Sequence, residues 1–136
     1  MQWLRPHEFC DTDPVLFSAI PLRTGQVTVG LLGYSALASA LNLLTHQHPT
    51  IPSLFVKTGQ EMKGRYCIRI YNFGKAHPIY IDDRIPCDVV FHRPVFCKSV
   101  ARNEFWVMLL EKALAKFYGN AAIVVLLSGD KYGDNY

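Results

Sequence analysis

The chain has 136 residues, of which 50% are hydrophobic and 18% are charged, so it is long enough for one domain with a substantial core and too short for two independent domains. Fourteen lysines and arginines against eleven aspartates and glutamates give a net charge of +3, which is too small and too dispersed to indicate nucleic acid or an anionic membrane as partner. Neither a signal peptide nor a membrane span is predicted, so we expect a cytoplasmic protein. The four cysteines contain no Cys-x-x-Cys pair and are expected to be free and mostly buried.

The first half of the chain predicts an arm followed by a helix. Residues 1–30 carry several prolines and no sustained period, which is typical of an irregular arm. Leu37, Leu41 and Leu44 then recur at helical spacing and predict a helix over 33–47. This segment is apolar on nearly all faces, so we expect the helix to be buried on several sides.

The second half predicts a hairpin and a second helix. Alternating apolar residues over 65–83 indicate two strands, joined by a turn at Asn72-Phe73-Gly74-Lys75. An apolar stripe over 103–118 predicts the second helix, with Asn103 as its N-cap and Glu104 in its first turn. The apolar run over 121–127 fits a buried strand or a further helical turn equally well.

Two short motifs are candidates for sites of chemistry. Gly30-Leu31-Leu32-Gly33-Tyr34-Ser35 runs into the first helix, but it lacks the Gly-Lys-Ser/Thr ending of a phosphate loop, and Leu37 stands where a nucleophile elbow needs glycine. Asp82-Asp83 lies at the end of a strand, where neighbouring side chains point to opposite faces. These two carboxylates are therefore expected to serve in a turn and in charge pairs.

Several ordered motifs resemble the calpain-type cysteine proteases, which are papain-like. That family carries Gln-Gly-x-Leu-Gly-Asp-Cys-Trp where this chain has Val29-Gly30-Leu31-Leu32-Gly33-Tyr34-Ser35-Ala36. The other matching motifs are Trp3-x-Arg5-Pro6-x-Glu8, Gly64-Arg65-Tyr66, Asn72-Phe73-Gly74, Ile81-Asp82-Asp83-Arg84-Ile85-Pro86, and Glu104-Phe105-Trp106-x-x-Leu109-Leu110-Glu111-Lys112-Ala113. The resemblance covers nearly the whole length and implies a single domain over 1–136. Its implied fold is α+β, the N-terminal lobe of a papain-like core, with a buried central helix, a second helix and a small antiparallel sheet.

The resemblance implies a degenerate catalytic site. Ser35 matches the nucleophilic cysteine, and a hydroxyl does not form the ion pair with histidine that a thiol forms. Val29 matches the glutamine that donates to the oxyanion, and Tyr34 and Ala36 replace the family's aspartate and tryptophan. The family's histidine and asparagine lie in a second lobe that this chain does not contain. We therefore expect a catalytically inactive protein that is not an enzyme; the alternative is a hydrolase with Ser35 as nucleophile, completed by another chain.

The resemblance also implies a calcium site. Glu104 matches an oxygen ligand of the family, but Gln26 replaces the family's aspartate ligand, and a hard cation prefers carboxylate to amide oxygen. Glu104 is thus expected to be a vestigial ligand position. We expect no metal and no cofactor.

The partners follow from the same resemblance. A lobe without its second half exposes an apolar cleft wall, so we expect Val29, Leu31, Tyr34 and Ala36 to lie at an interface with another protein. Degenerate calpain-like proteins are common in the cytoskeleton of flagellated cells. The resemblance therefore implies a structural or protein-binding role in a larger assembly, with microtubule or axonemal proteins as partners and the cytoskeleton, cilium or flagellum as the location.

Overall fold

A computed structural model describes residues 1–18, 26–30, 35–47 and 50–118. The helices of this part are α1 (Pro6–Phe9), α2 (Ser35–Leu44), α3 (Thr50–Leu54) and α4 (Trp106–Tyr118). The strands are β1 (Gln2–Leu4), β2 (Val27–Val29), β3 (Phe55–Val56), β4 (Arg65–Asn72), β5 (Lys75–Asp82), β6 (Ile85–Cys87) and β7 (Cys97–Ser99), and a 3-10 turn at Glu61–Lys63 precedes β4. The apolar run over 121–127 lies outside the described residues.

Within the described ranges the strands form three small antiparallel sheets. The hairpin predicted over 65–83 is present as β4 and β5, and β3 adds a third strand beside β4. The other two sheets are pairs, β1 with β6 and β2 with β7. The segment 1–30, predicted to be irregular, thus contributes β1 and β2. Each of these strands is only three residues long, which is too short for an alternating pattern to be recognised.

Helix α4 is the most deeply buried helix of the described chain and packs against β4, β5 and β7. Trp106, Leu109 and Ala113 have no exposed surface, and the ring of Phe17 stacks on Trp106 with centroids 6.2 Å apart.

The prediction that the first helix is buried on several sides is wrong for the described part. Helix α2 buries Ala38 and Leu41 on one face, whereas Leu43 is 71% exposed, because α4 and not α2 occupies the centre of the core.

The second helix begins later than predicted. Asn103 is not its N-cap, because Val15 N–H donates to the Asn103 carbonyl (2.8 Å) and Phe105 N–H donates to the Val15 carbonyl (3.2 Å). These bonds hold the backbone before Trp106 extended against the arm, so Glu104 precedes the helix and is not in its first turn. Long-range pairing here overrides the local capping signal.

The adjacent carboxylates of Asp82 and Asp83 face different partners, as the strand geometry predicts. Lys112, buried on α4, donates from Nζ to the Asp82 carboxylate and, at 2.8 Å, to the carbonyl of Arg84. Asp83 lies 3.3 Å from the guanidinium of Arg5. Burial raises the pKa of Asp82, but the hydrogen bond and positive charge of Lys112 outweigh it, and the pKa lies below its ordinary value. Both carboxylates are thus charge pairs that join separate elements.

The turn between β4 and β5 places a bulky residue in a conformation that favours glycine. Phe73 and Gly74 both have positive φ, 52° and 75°, which is the signature of a type I′ hairpin turn. Phe73 is 96% exposed, so its ring gains no packing that offsets the left-handed backbone. Asn is the preferred residue at this first turn position.

Replacing Phe73 with asparagine is therefore expected to stabilise the protein by about 1 kcal/mol, because asparagine tolerates the left-handed region better than phenylalanine. Urea unfolding measures the difference. Met62→Asn is the control, since Met62 is 98% exposed and does not itself have a positive φ. An equal gain in both variants would mean that loss of exposed apolar surface, not turn geometry, is responsible.

Candidate functional site

The two positions that match the family's catalytic residues lie at the ends of neighbouring elements. Val29 is the last residue of β2, and Ser35 is the first residue of α2. The first N–H groups of a helix have no partner within the helix and favour a negative charge beside them. Ala36 follows Ser35 in α2, while Leu31 and Tyr34 lie outside the described residues.

Gly30 is required by a close backbone approach. Its N–H donates to the carbonyl of Phe96 at 2.8 Å. A Cβ atom at this position would lie 2.7 Å from the carbonyl oxygens of Pro94, Val95 and Phe96. The glycine thus lets the chain leaving β2 run directly against the segment that enters β7, which explains the glycine without any phosphate site.

Asn42 joins the helix to the strand, a role that the sequence pattern did not reveal. Its Oδ1 accepts the N–H of Val27 at 2.8 Å, and its Nδ2 donates to the carbonyl of Val27 at 2.9 Å. The amide thereby satisfies both backbone groups of a buried strand residue, as a neighbouring strand would do. Val29 and Ser35 lie on the two elements that Asn42 connects, so this side chain fixes their relative placement. An amide side chain in a helix whose other residues are alanine, leucine and serine was the available signal.

Val29 faces an open groove of about 460 Å³, whose lining includes Asp88, Phe91, Arg93 and Lys98. The valine is 38% exposed. Its side chain offers no hydrogen-bond donor to a developing oxyanion, unlike the glutamine of the family motif. The groove wall at this point is apolar and accessible.

Glu104 is a buried structural acceptor. It is 3% exposed, and its Oε2 accepts the N–H and the hydroxyl of Ser18, both at 2.7 Å. Its Oε1 accepts a short hydrogen bond from Ser99 Oγ. Both oxygens are thus occupied, and the matching position Gln26 supplies an amide, so the residues present do not fit the calcium site that the resemblance implies. Across the described ranges no group of three or more His, Cys, Asp or Glu side chains is arranged to hold a metal.

Cys10, Cys67, Cys87 and Cys97 form no disulfide within the described part of the chain, and Cys67, Cys87 and Cys97 are buried as predicted. Burial raises the pKa of Cys87 to about 12 and that of Cys10 to about 11, with Asp88 and Asp11 respectively adding to the effect. Reactivity requires the thiolate. Neither thiol is therefore a substitute for the nucleophile that Ser35 replaces.

Behind the groove, a buried carboxyl of α4 contacts β7. Glu111 is 4% exposed and accepts the N–H of Cys97 at 3.3 Å, the residue that pairs with Val29 across the two strands. Burial raises the pKa of Glu111 to about 8, although its hydrogen bonds with Cys97 oppose this shift. The carboxyl is thus protonated at neutral pH.

Comparison with known proteins decides the family. Residues 1–127 match the sequence profile of the calpain family of cysteine proteases. The chain belongs to the calpain family. Human Calpain-12 is 33% identical over 130 residues, which cover 91% of this chain and 17% of that protein. Rat Calpain-10 is 38% identical over 125 residues, covering 87% of this chain and 18% of the relative.

A third relative, Calpain-5 of Caenorhabditis elegans, is 36% identical over 126 residues, with 86% of this chain and 18% of that protein covered. The chain thus spans less than a fifth of the length of these curated calpains. Membership confirms the α+β calpain core fold, with its helices and small antiparallel sheets. Among the described residues no helix is long and apolar enough to cross a membrane.

Family membership also corrects one expectation. The interpretation of the chain as a non-enzyme is contradicted, because the family that it matches along most of its length is one of cysteine proteases. The substitutions at Val29 and Ser35 change which groups are present at the site, but a segment that covers less than a fifth of its relatives does not establish loss of activity.

Replacing Asn42 with alanine is expected to lower the free energy of unfolding by about 2–4 kcal/mol, because it leaves the N–H and C=O of Val27 buried without partners. Urea denaturation tests this expectation. Gln47→Ala, on an exposed residue after α2, is the control and should change stability little. A cost as small as that of the control would show that water replaces the amide, and Asn42 would then not connect α2 to β2.

The stability should fall as the pH rises from about 4.5 to about 8, owing to Glu111. In the unfolded chain the carboxyl releases its proton near 4.5, whereas the folded protein retains it up to about 8. Each pH unit in this window costs about 1.4 kcal/mol for one proton, and no change is expected from this group below or above it.

Glu111→Gln should remove that slope, since the amide does not titrate. Unfolding free energies at pH 5, 6 and 7 measure the slope for the protein and the variant. Glu8→Gln removes a solvent-exposed carboxylate and serves as the control that keeps the slope. If the slope survives in the Glu111→Gln variant, another group carries it.

Proposed function

We propose that this chain is the first lobe of a calpain-type protease core and that it binds an extended polypeptide. The binding face consists of the end of β2 and the beginning of α2. The observation that carries the proposal is the position of Val29, which is accessible and lines the groove of about 460 Å³ where the family has its oxyanion donor. An apolar wall beside a concave groove is typical of a surface that contacts another protein.

The partner proposed for this face is a protein. Val29 and Tyr34 are more apolar than the glutamine and the aspartate of the family motif at the same positions, which favours a contact that excludes water. The expectation of microtubule or axonemal partners, and of a cytoskeletal location, stays a prediction from the resemblance. Recovery of tubulin with the native protein from a cell extract at low salt would support it, and recovery of unrelated proteins alone would contradict it.

A second candidate is peptide hydrolysis with Ser35 as the nucleophile. Its support is the place of Ser35 at the start of α2, where the helix N-terminus favours negative charge. The general base must come from outside this chain, because none of its histidines matches the family's base. The missing oxyanion donor at Val29 would slow the reaction by about 10²–10³ relative to an enzyme that has it.

The test uses fluorescein-labelled casein, an unfolded polypeptide, with binding measured by fluorescence anisotropy. Val29→Glu should weaken binding about tenfold or more, because it places a charge in the apolar wall. Met62→Glu introduces the same charge at a fully exposed position on the 3-10 turn and should leave binding unchanged. Equal binding by both variants would contradict the proposed face.

The same labelled casein separates the two candidates when its fragments are followed by mass. Binding without fragments supports polypeptide binding alone under these conditions. Fragments that appear with the protein and disappear with Ser35→Ala support hydrolysis at Ser35. Fragments that persist in Ser35→Ala would exclude this serine as the nucleophile.

A further inference from the structure

The segment 88–93, between β6 and β7, presents three consecutive apolar side chains to solvent. Val89, Val90 and Phe91 are 59%, 71% and 74% exposed. Single exposed apolar residues are ordinary, but an adjoining group of them marks a contact surface. Phe91 also lines the groove that Val29 borders, so the apolar turn is continuous with the proposed binding face.

The backbone of this turn is fixed by one carboxylate. Asp88 accepts the N–H groups of Val90 at 3.0 Å and Phe91 at 2.6 Å with Oδ1, and that of Arg93 at 3.2 Å with Oδ2. His92 adopts a positive φ of 55° and its ring makes a short contact with the side-chain amide of Gln2. The apolar side chains are therefore held in place before a partner arrives, which lowers the entropy cost of binding.

The lining of the groove beside the turn carries two cationic side chains and one carboxylate, that of Asp88, which keeps its negative charge while it accepts the N–H groups of the turn. Arg93 and Lys98 line it, and both also line an adjoining cavity of about 350 Å³. Asp88 uses its oxygens for the turn, and Glu104 in the adjoining cavity uses its own for serines. Arg93 lies 3.8 Å from Asp11, whereas among the described residues no carboxylate pairs with the ammonium of Lys98.

We infer that Phe91, Arg93 and Lys98, with Val89 and Val90, form a recognition surface for a polypeptide segment in which an apolar side chain is flanked by Asp or Glu. We call this the 91–98 surface. The inference rests on the proposed function and names the class of polypeptide that it binds. The apolar side chain packs against Phe91 in the groove, and the flanking carboxylates reach Lys98 and Arg93. The concave groove beside Phe91 favours a protein segment, which can lie within it, over the flat surface of a lipid bilayer.

The test compares three labelled peptides that share a central Leu-Phe pair and differ in their flanks, which are Glu, Ser or Lys. Binding to the whole chain is measured by fluorescence anisotropy at low and high salt. The Glu peptide should bind about tenfold more tightly than the Ser peptide at low salt, and the Lys peptide should bind most weakly. Added salt should reduce these differences, because exposed charges are screened.

Variants assign the effect to residues. Lys98→Glu should weaken the Glu peptide about tenfold and strengthen the Lys peptide, since the charge at the groove is reversed. Among the described residues no carboxylate forms an ion pair with Lys98, so the substitution leaves no carboxylate without its partner. Lys98→Gln removes the charge without reversing it and should therefore cause a smaller loss of affinity for the Glu peptide. Phe91→Ser should weaken all three peptides because it removes the apolar contact. Lys63→Glu, an exposed lysine on the 3-10 turn, is the matched control and should change nothing.

The outcomes separate this inference from the proposed function. One outcome is that casein binds and Val29→Glu abolishes its binding, which supports the proposed binding face. If the three peptides then bind alike, or if Lys98→Glu has no effect on them, the inference of the 91–98 surface is wrong. If neither casein nor any peptide binds, both fail. Binding to phosphatidylserine vesicles that depends on Phe91 and Lys98, with no preference for the Glu peptide, would replace the inference with a membrane contact.

Discussion

Two adjacent buried polar side chains on α4, Glu111 and Lys112, hold the surrounding strands in place. Glu111 accepts a backbone N–H of Cys97 on β7, and Lys112 donates to the carbonyl of Arg84 and to the carboxylate of Asp82 at the end of β5. Burying either polar group without hydrogen-bond partners would cost free energy of folding. The strands that supply those partners therefore lie within hydrogen-bond distance of α4. The same helix turn therefore determines the position of β7 on one side and of the hairpin on the other.

The candidate cleft depends on β7 in turn. Strand β2 pairs with β7, Gly30 runs against the carbonyls that precede β7, and Asn42 joins β2 to α2. Val29 and Ser35 are thus placed by a sequence of contacts that begins in the core. Calpain family membership accounts for this framework. The chemistry at the two positions differs from that of a cysteine nucleophile with a glutamine donor, because a valine side chain donates nothing and a hydroxyl is much harder to ionise than a thiol.

Binding and chemistry draw on different parts of this framework. The chemistry would rest on the start of α2, whereas recognition would rest on Val29, the apolar turn and the cations beside it. The turn owes its shape to Asp88, whose carboxylate is occupied by backbone N–H groups and lies outside any charge pair with Lys98. Under the inferred recognition role, a surface built in this way would leave the charge of Lys98 and the apolar area of the turn to a partner.

The sequence by itself determined the family, the α+β class, the β4–β5 hairpin and the separate charge pairs of Asp82 and Asp83, because ordered motifs and local alternation are written in neighbouring residues. The same motifs match Val29 and Ser35 to the family's catalytic positions, and that match stays a prediction. Tertiary structure alone decided that β1 and β2 are strands, that Asn103 pairs with Val15 instead of capping α4, that Asn42 covers the edge of β2, and that Glu104 is saturated by Ser18 and Ser99. Those features arise from residues far apart in the chain whose polar groups find partners only when the core brings them together, and no local pattern encodes such a partner.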